Sequence, residues 1–277
     1  MYALLLLDPA APNADKYIDG EGRANNSDKD HTNIHFSPRF WRIFQPIIIF
    51  PASVQRPVNE PVRSRANGRR LLDFLQPNGY FANVTTEERR REKLKNAVLY
   101  FVKNDKTVGL TKLMKLLFYL DFRLYRECGE SLTGQTYEAW KFGPVPADVW
   151  RELHERKDTS LNLSSVVKII PTQPDARDEA IGIKLAALPK AKFSDRFFTG
   201  RELREMKAIL EMFKGHPANL VVKASHTPRD PWDITIKTKG ERAIVDYDLA
   251  LTGLSEDQKA YIHEVRDDAK LLEALLG

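Results

Sequence analysis

The chain has a single cysteine, Cys128, among its 277 residues. One thiol cannot close an internal disulfide or supply a multi-cysteine metal site, so disulfide scaffolds and zinc ribbons are both excluded. Long hydrophobic runs are missing as well. The apolar stretches that stand out, residues 1–7 and 46–50, fall far short of the roughly 20 residues that cross a bilayer. A secretory signal needs a basic region ahead of its apolar run, yet only Met1 and Tyr2 precede the leucines, and Asp8 cuts them short. A cytoplasmic location follows as the expectation, with no membrane partner. There is also no excess of one charge. The 43 basic and 38 acidic residues leave +5, too little to mark a nucleic-acid-binding polymer by itself.

Catalytic signatures are missing too. The sequence contains no GxSxG elbow, no glycine-rich phosphate loop, no HExxH pair and no Cys/His set with zinc spacing. His154-Glu155 and His263-Glu264 are neighbours in sequence, so on a helix each pair diverges by about 100° and cannot share a metal or a proton. Cys128 falls at the C-terminal end of a helix, whereas an activated thiol favours the electropositive N-terminus. It reads as structural. No enzyme, metal or cofactor is expected.

What is present divides near residue 84. Residues 1–84 hold eight of the 16 prolines and no ten-residue stretch with an apolar face at helical or strand period. Phe40, Trp41 and residues 43–50 suggest a small apolar cluster or a partner-binding segment, but the stretch as a whole reads as a disordered or non-native leader. Val84 stands immediately before the first clean helix start, and the next methionine after Met1 is Met114, inside a helix. Translation from a GTG codon at Val84 is therefore expected, and peptides from residues 20–70 in a digest of the native protein would refute it.

From Thr85 onward the pattern is that of a domain, expected over residues 85–277. Thr85 with Glu88 makes a capping box for a helix carrying Leu94, Ala97, Val98, Phe101 and Val102. After Asn104 and Asp105, Leu110, Leu113, Leu117, Leu120 and Leu124 repeat at helical spacing, widened by Met114, Leu116, Phe118 and Phe122. This second helix should be deeply buried and should end at Gly129. Residues 132–142 alternate like a strand, and Gly143, Pro144 and Pro146 lead into a helix to about Arg156. Residues 166–170 and 181–185 read as a hairpin around a Pro- and Asp-rich loop. Thr199 with Glu202 opens a helix carrying Leu203, Met206, Ile209, Leu210 and Phe213, and residues 217–225 a shorter one. Ile234, Ile236 and Ile244 flank Lys239-Gly240 as a second hairpin. Ser255 with Gln258 caps a last helix with Ile262, Val265, Ala269 and Leu272. The fold class expected is α+β, mainly α, with helices packed on a small antiparallel sheet.

Three segments ask for more than packing. In LMKLLFYLDFRLYRECG, Lys115, Tyr119 and Asp121 punctuate an apolar helix, which core packing with snorkelling polar tips would explain. In LTGQTYEAWKFGPV, alternation puts Trp140 and Phe142 on one face and Tyr137 on the other, so one layer cannot bury both. In SHTPRDPW, His226 and Trp232 look like anchors for an irregular loop. Together, LTKLMKLLFYLDF with Gly129, then SLTGQTYEAWKFGPVP, then the Ser-His and Pro-Trp pairs, resemble the SocA-like Panacea domain of bacterial toxin-antitoxin loci and phage-associated proteins. The resemblance spans about residues 90–250. Where family members often carry a histidine after the aspartate, this chain has Arg123, Leu124 and Tyr125.

The resemblance implies an antitoxin that binds a cognate protein toxin, usually encoded next door, and blocks it without an enzymatic step; a homo-oligomer stays open. Its candidate partner-binding residues are Lys115, Tyr119, Asp121, Tyr137, Trp140, Phe142, Gly143, Pro144, His226 and Trp232. The alternative is a transcription regulator with a helix-turn-helix near residues 104–124 and Thr111, Lys112 and Lys115 against DNA. Its weakness is the apolar circumference of that helix, so nucleic acid is not the expected partner. A third reading, an enzyme using Asp121, His226 and Asp246, needs folding to bring them together.

Because every capped and periodic element starts at or after Thr85, deleting residues 2–83 should leave the thermal transition unchanged. A fall of several degrees, about what 1 kcal/mol produces in a domain of this size, would show that the leader packs on the body.

Overall fold

In a computed structural model, residues 85–171, 183–226 and 228–276 are described. The expected leader with Val84, the loop around Ile181 and the side chain of Leu272 lie outside the described residues.

The elements are α1 (Thr86–Asn104), α2 (Leu110–Cys128), β1 (Tyr137–Trp140), β2 (Gly143–Pro146), α3 (Ala147–Leu153), β3 (Val167–Pro171), β4 (Ile183–Ala187), α4 (Gly200–Phe213), α5 (Ala218–Ala224), α6 (Pro231–Lys239) and α7 (Glu256–Leu276). They form a mainly α fold with two antiparallel two-stranded ribbons, β1–β2 and β3–β4. None of the helices among the described residues is long and apolar enough to cross a membrane.

Local chemistry sets the helix ends. The Thr85 hydroxyl accepts from the Glu88 N–H at 3.2 Å, and Thr199 with Glu202 forms the full reciprocal box. Ser255 and Gln258 exchange the same pair of bonds at 3.0 and 3.3 Å. Gly129 ends α2 with φ +76, where its missing side chain also lets the Ile262 carbonyl approach: a β-carbon would sit 2.7 Å from that oxygen.

Helix α2 is the centre. Fifteen of its 19 residues are buried, and α1, α3, α4, α5, α7, β2 and β4 all pack on it. A helix enclosed on every side cannot let its polar tips snorkel to water, so Lys112, Lys115 and Asp121, each at most 1% exposed, must find partners inside. Lys112 shows how. Its ammonium donates to Asp105 Oδ2 at 2.6 Å and Thr107 Oγ1 at 2.8 Å, in the α1–α2 turn. It also donates to the Phe213 and His216 carbonyls at 2.7 Å each, closing the end of α4. Burial pushes the Asp105 carboxyl up, but the bonds from Lys112 and Thr107 outweigh it and hold the group below its usual range.

Several expectations need correction. The strand expected over residues 132–142 is confined to Tyr137–Trp140, with Lys141 and Phe142 forming the two-residue turn to β2, since Trp140 pairs with Gly143. Helix α3 stops at Leu153, and β3 and β4 lie one to two residues later than anticipated. The second hairpin around Lys239-Gly240 is absent. Residues 231–239 are α6, because Asp230 accepts from the Asp233 N–H at 2.8 Å and Pro231 occupies the first turn. Those start signals override the β-branched Ile-Thr-Ile run. Ile244 does enter a β-bridge, with Glu138: the Ala139 N–H donates to Ala243 and the Val245 N–H to Tyr137, both at 2.8 Å. The β1–β2 ribbon thereby gains a third, outer segment.

Lys112→Met should leave the Asp105 carboxylate buried without its counter-ion and cost about 3–5 kcal/mol in urea unfolding. A loss below about 1 kcal/mol would show that water reaches Asp105.

Candidate functional site

Antiparallel pairing gives β1 two different faces. Tyr137 and Ala139 point to α2 and are fully buried, while Glu138 and Trp140 point outward and are half-buried. The Tyr137 ring meets Phe118 and Phe122 edge-on at 5.5 and 5.6 Å. Its hydroxyl donates to Asp121 Oδ2 at 2.8 Å. Asp121 also takes the Thr133 N–H at 2.9 Å and the Thr133 hydroxyl, and Tyr247 approaches it at 3.4 Å while donating to the Gln135 carbonyl at 2.8 Å. Burial dominates this carboxyl and pushes it up to about 6 despite those bonds.

The far strand is held by Lys115. Its ammonium donates to the Pro144 carbonyl at 2.8 Å, and Gly143, at φ +100, lies directly against it. A β-carbon on Gly143 would sit 2.6 Å from Lys115 Nζ and 2.9 Å from Ser225 Oγ, so this position requires glycine twice over. Burial drives Lys115 down to about 7, opposed by the charge of Asp230, and burial drives Asp230 up to about 7. Tyr119, 4% exposed, completes the node, its hydroxyl without a hydrogen-bond partner.

The loop between α5 and α6 closes over this node. His226 stacks on Trp232 with centroids 4.2 Å apart. Burial and the Lys115 charge hold the imidazole below its usual value. Trp232 Nε1 donates to the Trp140 carbonyl at 2.9 Å, so the first turn of α6 grips the hairpin by its backbone.

On the outer face, Trp140 Nε1 donates to Glu138 Oε2 at 2.9 Å, and the Arg242 guanidinium lies over the Trp140 ring at 3.6 Å. Phe142, at the turn, is 66% exposed.

The ten residues singled out in the sequence thus form two layers. Lys115, Tyr119 and Asp121 of α2 are buried beneath the hairpin, Tyr137, Gly143 and Pro144 are its buried residues, and His226 and Trp232 brace its flank. Of the ten, Trp140 and Phe142 lie on the outward side of the hairpin, Trp140 half-buried and Phe142 exposed. Asp230, Ser225, Glu138 and Arg242 were not singled out. Only Asp230 has a local signal, the helix-opening Asp-Pro-x-Asp run of Asp230, Pro231 and Asp233.

The helix-turn-helix reading loses its contact residues, because Lys112 and Lys115 are buried and only Thr111 is exposed. The catalytic triple is likewise divided among separate tasks. Asp121 holds Thr133 and Tyr137, His226 stacks on Trp232, and Asp246 caps the 3-10 turn Tyr247–Leu251 by accepting from the Asp248 N–H. Cys128 donates to the Leu124 carbonyl at 3.2 Å, and burial pushes its thiol up, away from reactivity.

Residues 113–233 match the family model described as antitoxin SocA-like, Panacea domain. No curated protein matches significantly, and no solved structure does.

A carboxyl raised in the fold stabilises fully below its unfolded value near 4 and loses that contribution as pH rises through about 6. The melting temperature of Asp121→Asn minus that of the unmodified protein should therefore increase from pH 4 to 7. A difference that stays constant or shrinks would show Asp121 to be ionised throughout.

Proposed function

We propose, from the premise that residues 113–233 form a SocA-like Panacea domain, that this protein is a cytoplasmic antitoxin. It neutralises a protein toxin, the product of an adjacent gene, by direct binding and without a catalytic step. The observation that carries the reading is the division of labour within β1. One aromatic, Tyr137, is committed to the core, while Trp140 and the neighbouring Phe142 are held outward by a hairpin whose backbone is fastened from below. Tryptophan, tyrosine and arginine dominate interface energies, and Phe142, exposed on a fixed turn, has no core-packing task among the described residues. Of the polar groups that suggest chemistry, Lys115 and Asp121 hold that hairpin, while Asp246 caps a separate turn. Phage association and self-association follow the same family premise and are not needed for neutralisation.

The test is genetic and then quantitative. The adjacent reading frame, expressed alone, should be toxic, and co-expression of this protein should relieve it. No relief would remove the reading.

Three substitutions divide core from surface. Tyr137→Ala should cost about 3 kcal/mol or more of stability. Phe142→Ala should stay within about 0.5 kcal/mol of the parent in stability yet weaken toxin binding. Trp140→Ala should cost about 1 kcal/mol of stability and about 2 kcal/mol or more of binding. Full neutralisation by both Trp140→Ala and Phe142→Ala would place the interface elsewhere.

A further inference from the structure

The outward face of the hairpin continues beyond Trp140. Its ring meets Trp150 of α3 edge-on at 5.0 Å, and Trp150 stacks on His154 at 4.3 Å. With Arg242 over Trp140, a stripe runs from the outer β segment across β1 to the end of α3. Both tryptophans are half-buried, and Arg242 and His154 are exposed.

The charges along this stripe are unevenly spent. Glu138 lies 3.5 Å from Arg242 and 3.7 Å from Arg151, longer than a good hydrogen bond, while Asp148 holds Arg151 at 2.6 Å. The arginine side chains are 60% and 47% exposed, so each guanidinium fork keeps outward donors. Lys141, at the turn, lies 5.5 Å from the Phe142 ring centre and meets no carboxylate among the described residues.

We propose that this stripe and the Phe142 tip together form the docking surface for an acidic segment of the protein partner. Carboxylates of that segment seat on the Arg242 and Arg151 forks, and its apolar side chains pack on Phe142 and the tryptophan edges. The proposal rests on the antitoxin reading and names the chemistry of the toxin surface it requires. Planar guanidinium groups match carboxylates in bidentate fashion, and stacking on an aromatic ring pre-orients the Arg242 fork. Protein is favoured over nucleic acid because a stacking base needs an open ring face. Each indole already carries a cation or an imidazole on one face and packs against the other indole.

The probe is the purified product of the adjacent reading frame, with affinity measured at low and high salt. Arg151→Glu/Arg242→Glu should weaken binding at least about tenfold and remove most of its salt dependence. Lys207→Glu, on an exposed part of α4, should change neither. Melting temperatures check folding, and Arg151→Gln/Arg242→Gln serves where charge reversal perturbs it, with a several-fold loss expected. If the parent protein binds and neutralises but neither double variant alters affinity or salt dependence, the stripe is not the docking surface, although the antitoxin reading stands. If the parent neither binds nor neutralises the adjacent product, both fall. Tighter binding of single-stranded oligo-dT than of the protein, lost on charge reversal, would assign the stripe to nucleic acid and overturn the proposal.

Discussion

One bond, from the buried ammonium of Lys115 to the carbonyl of Pro144, ties the enclosed helix α2 to the hairpin that carries the exposed Phe142. It exists because α2 is enclosed on every side and still carries charge. A desolvated ammonium without a partner is costly, so the chain must bring an acceptor to it, and the acceptor it brings is the backbone of the β1–β2 hairpin. The same logic operates twice more on this helix. Lys112 collects the α1–α2 turn and the end of α4, and Asp121 collects the 133–137 segment and Tyr247. Lys112, Lys115 and Asp121 thus each fasten a different segment of the chain to the apolar core.

Such groups specify more than they stabilise. A buried ion pair rarely outperforms well-packed hydrophobic side chains of the same volume. It does, however, penalise every arrangement in which one partner is lost. Slipping β1 by one residue would move Tyr137 away from Asp121 and turn Trp140 into the core. The register of the hairpin is therefore fixed by polar geometry on one face, while the aromatic packing of Phe118 and Phe122 against Tyr137 supplies the apolar gain.

The elements that were legible in the sequence are those whose signals are local. Thr85, Thr199 and Ser255 open helices through bonds to residues three positions on, and Gly129 ends one through its own backbone angle. The alternation of Tyr137 with Trp140 correctly separates two faces, because period two is a property of the strand alone. Which face is buried depends on α2, more than a dozen residues away in sequence. Helix α6 is poorly legible because the β-branched run of Ile234, Thr235 and Ile236 competes with the start signal at Asp230. The polar side chains of α2 were expected to snorkel, which presumes one wet side, and only the assembled neighbours remove that side. Arg242 over Trp140 and Trp232 on the Trp140 carbonyl join residues about a hundred positions apart, with no local pattern to announce them.

The way the hairpin is held bears on what its tip can become. Lys115 and Trp232 both bond main-chain carbonyls, those of Pro144 and Trp140, and Gly143 contributes only the absence of a side chain. None of these contacts involves the side chains of Lys141 or Phe142. The position and direction of the turn are thus set independently of the residues displayed on it, so those residues are free to change without loosening their support. The boundary between support and display runs through one short strand, with Tyr137 on its buried side and Trp140 on its outward one.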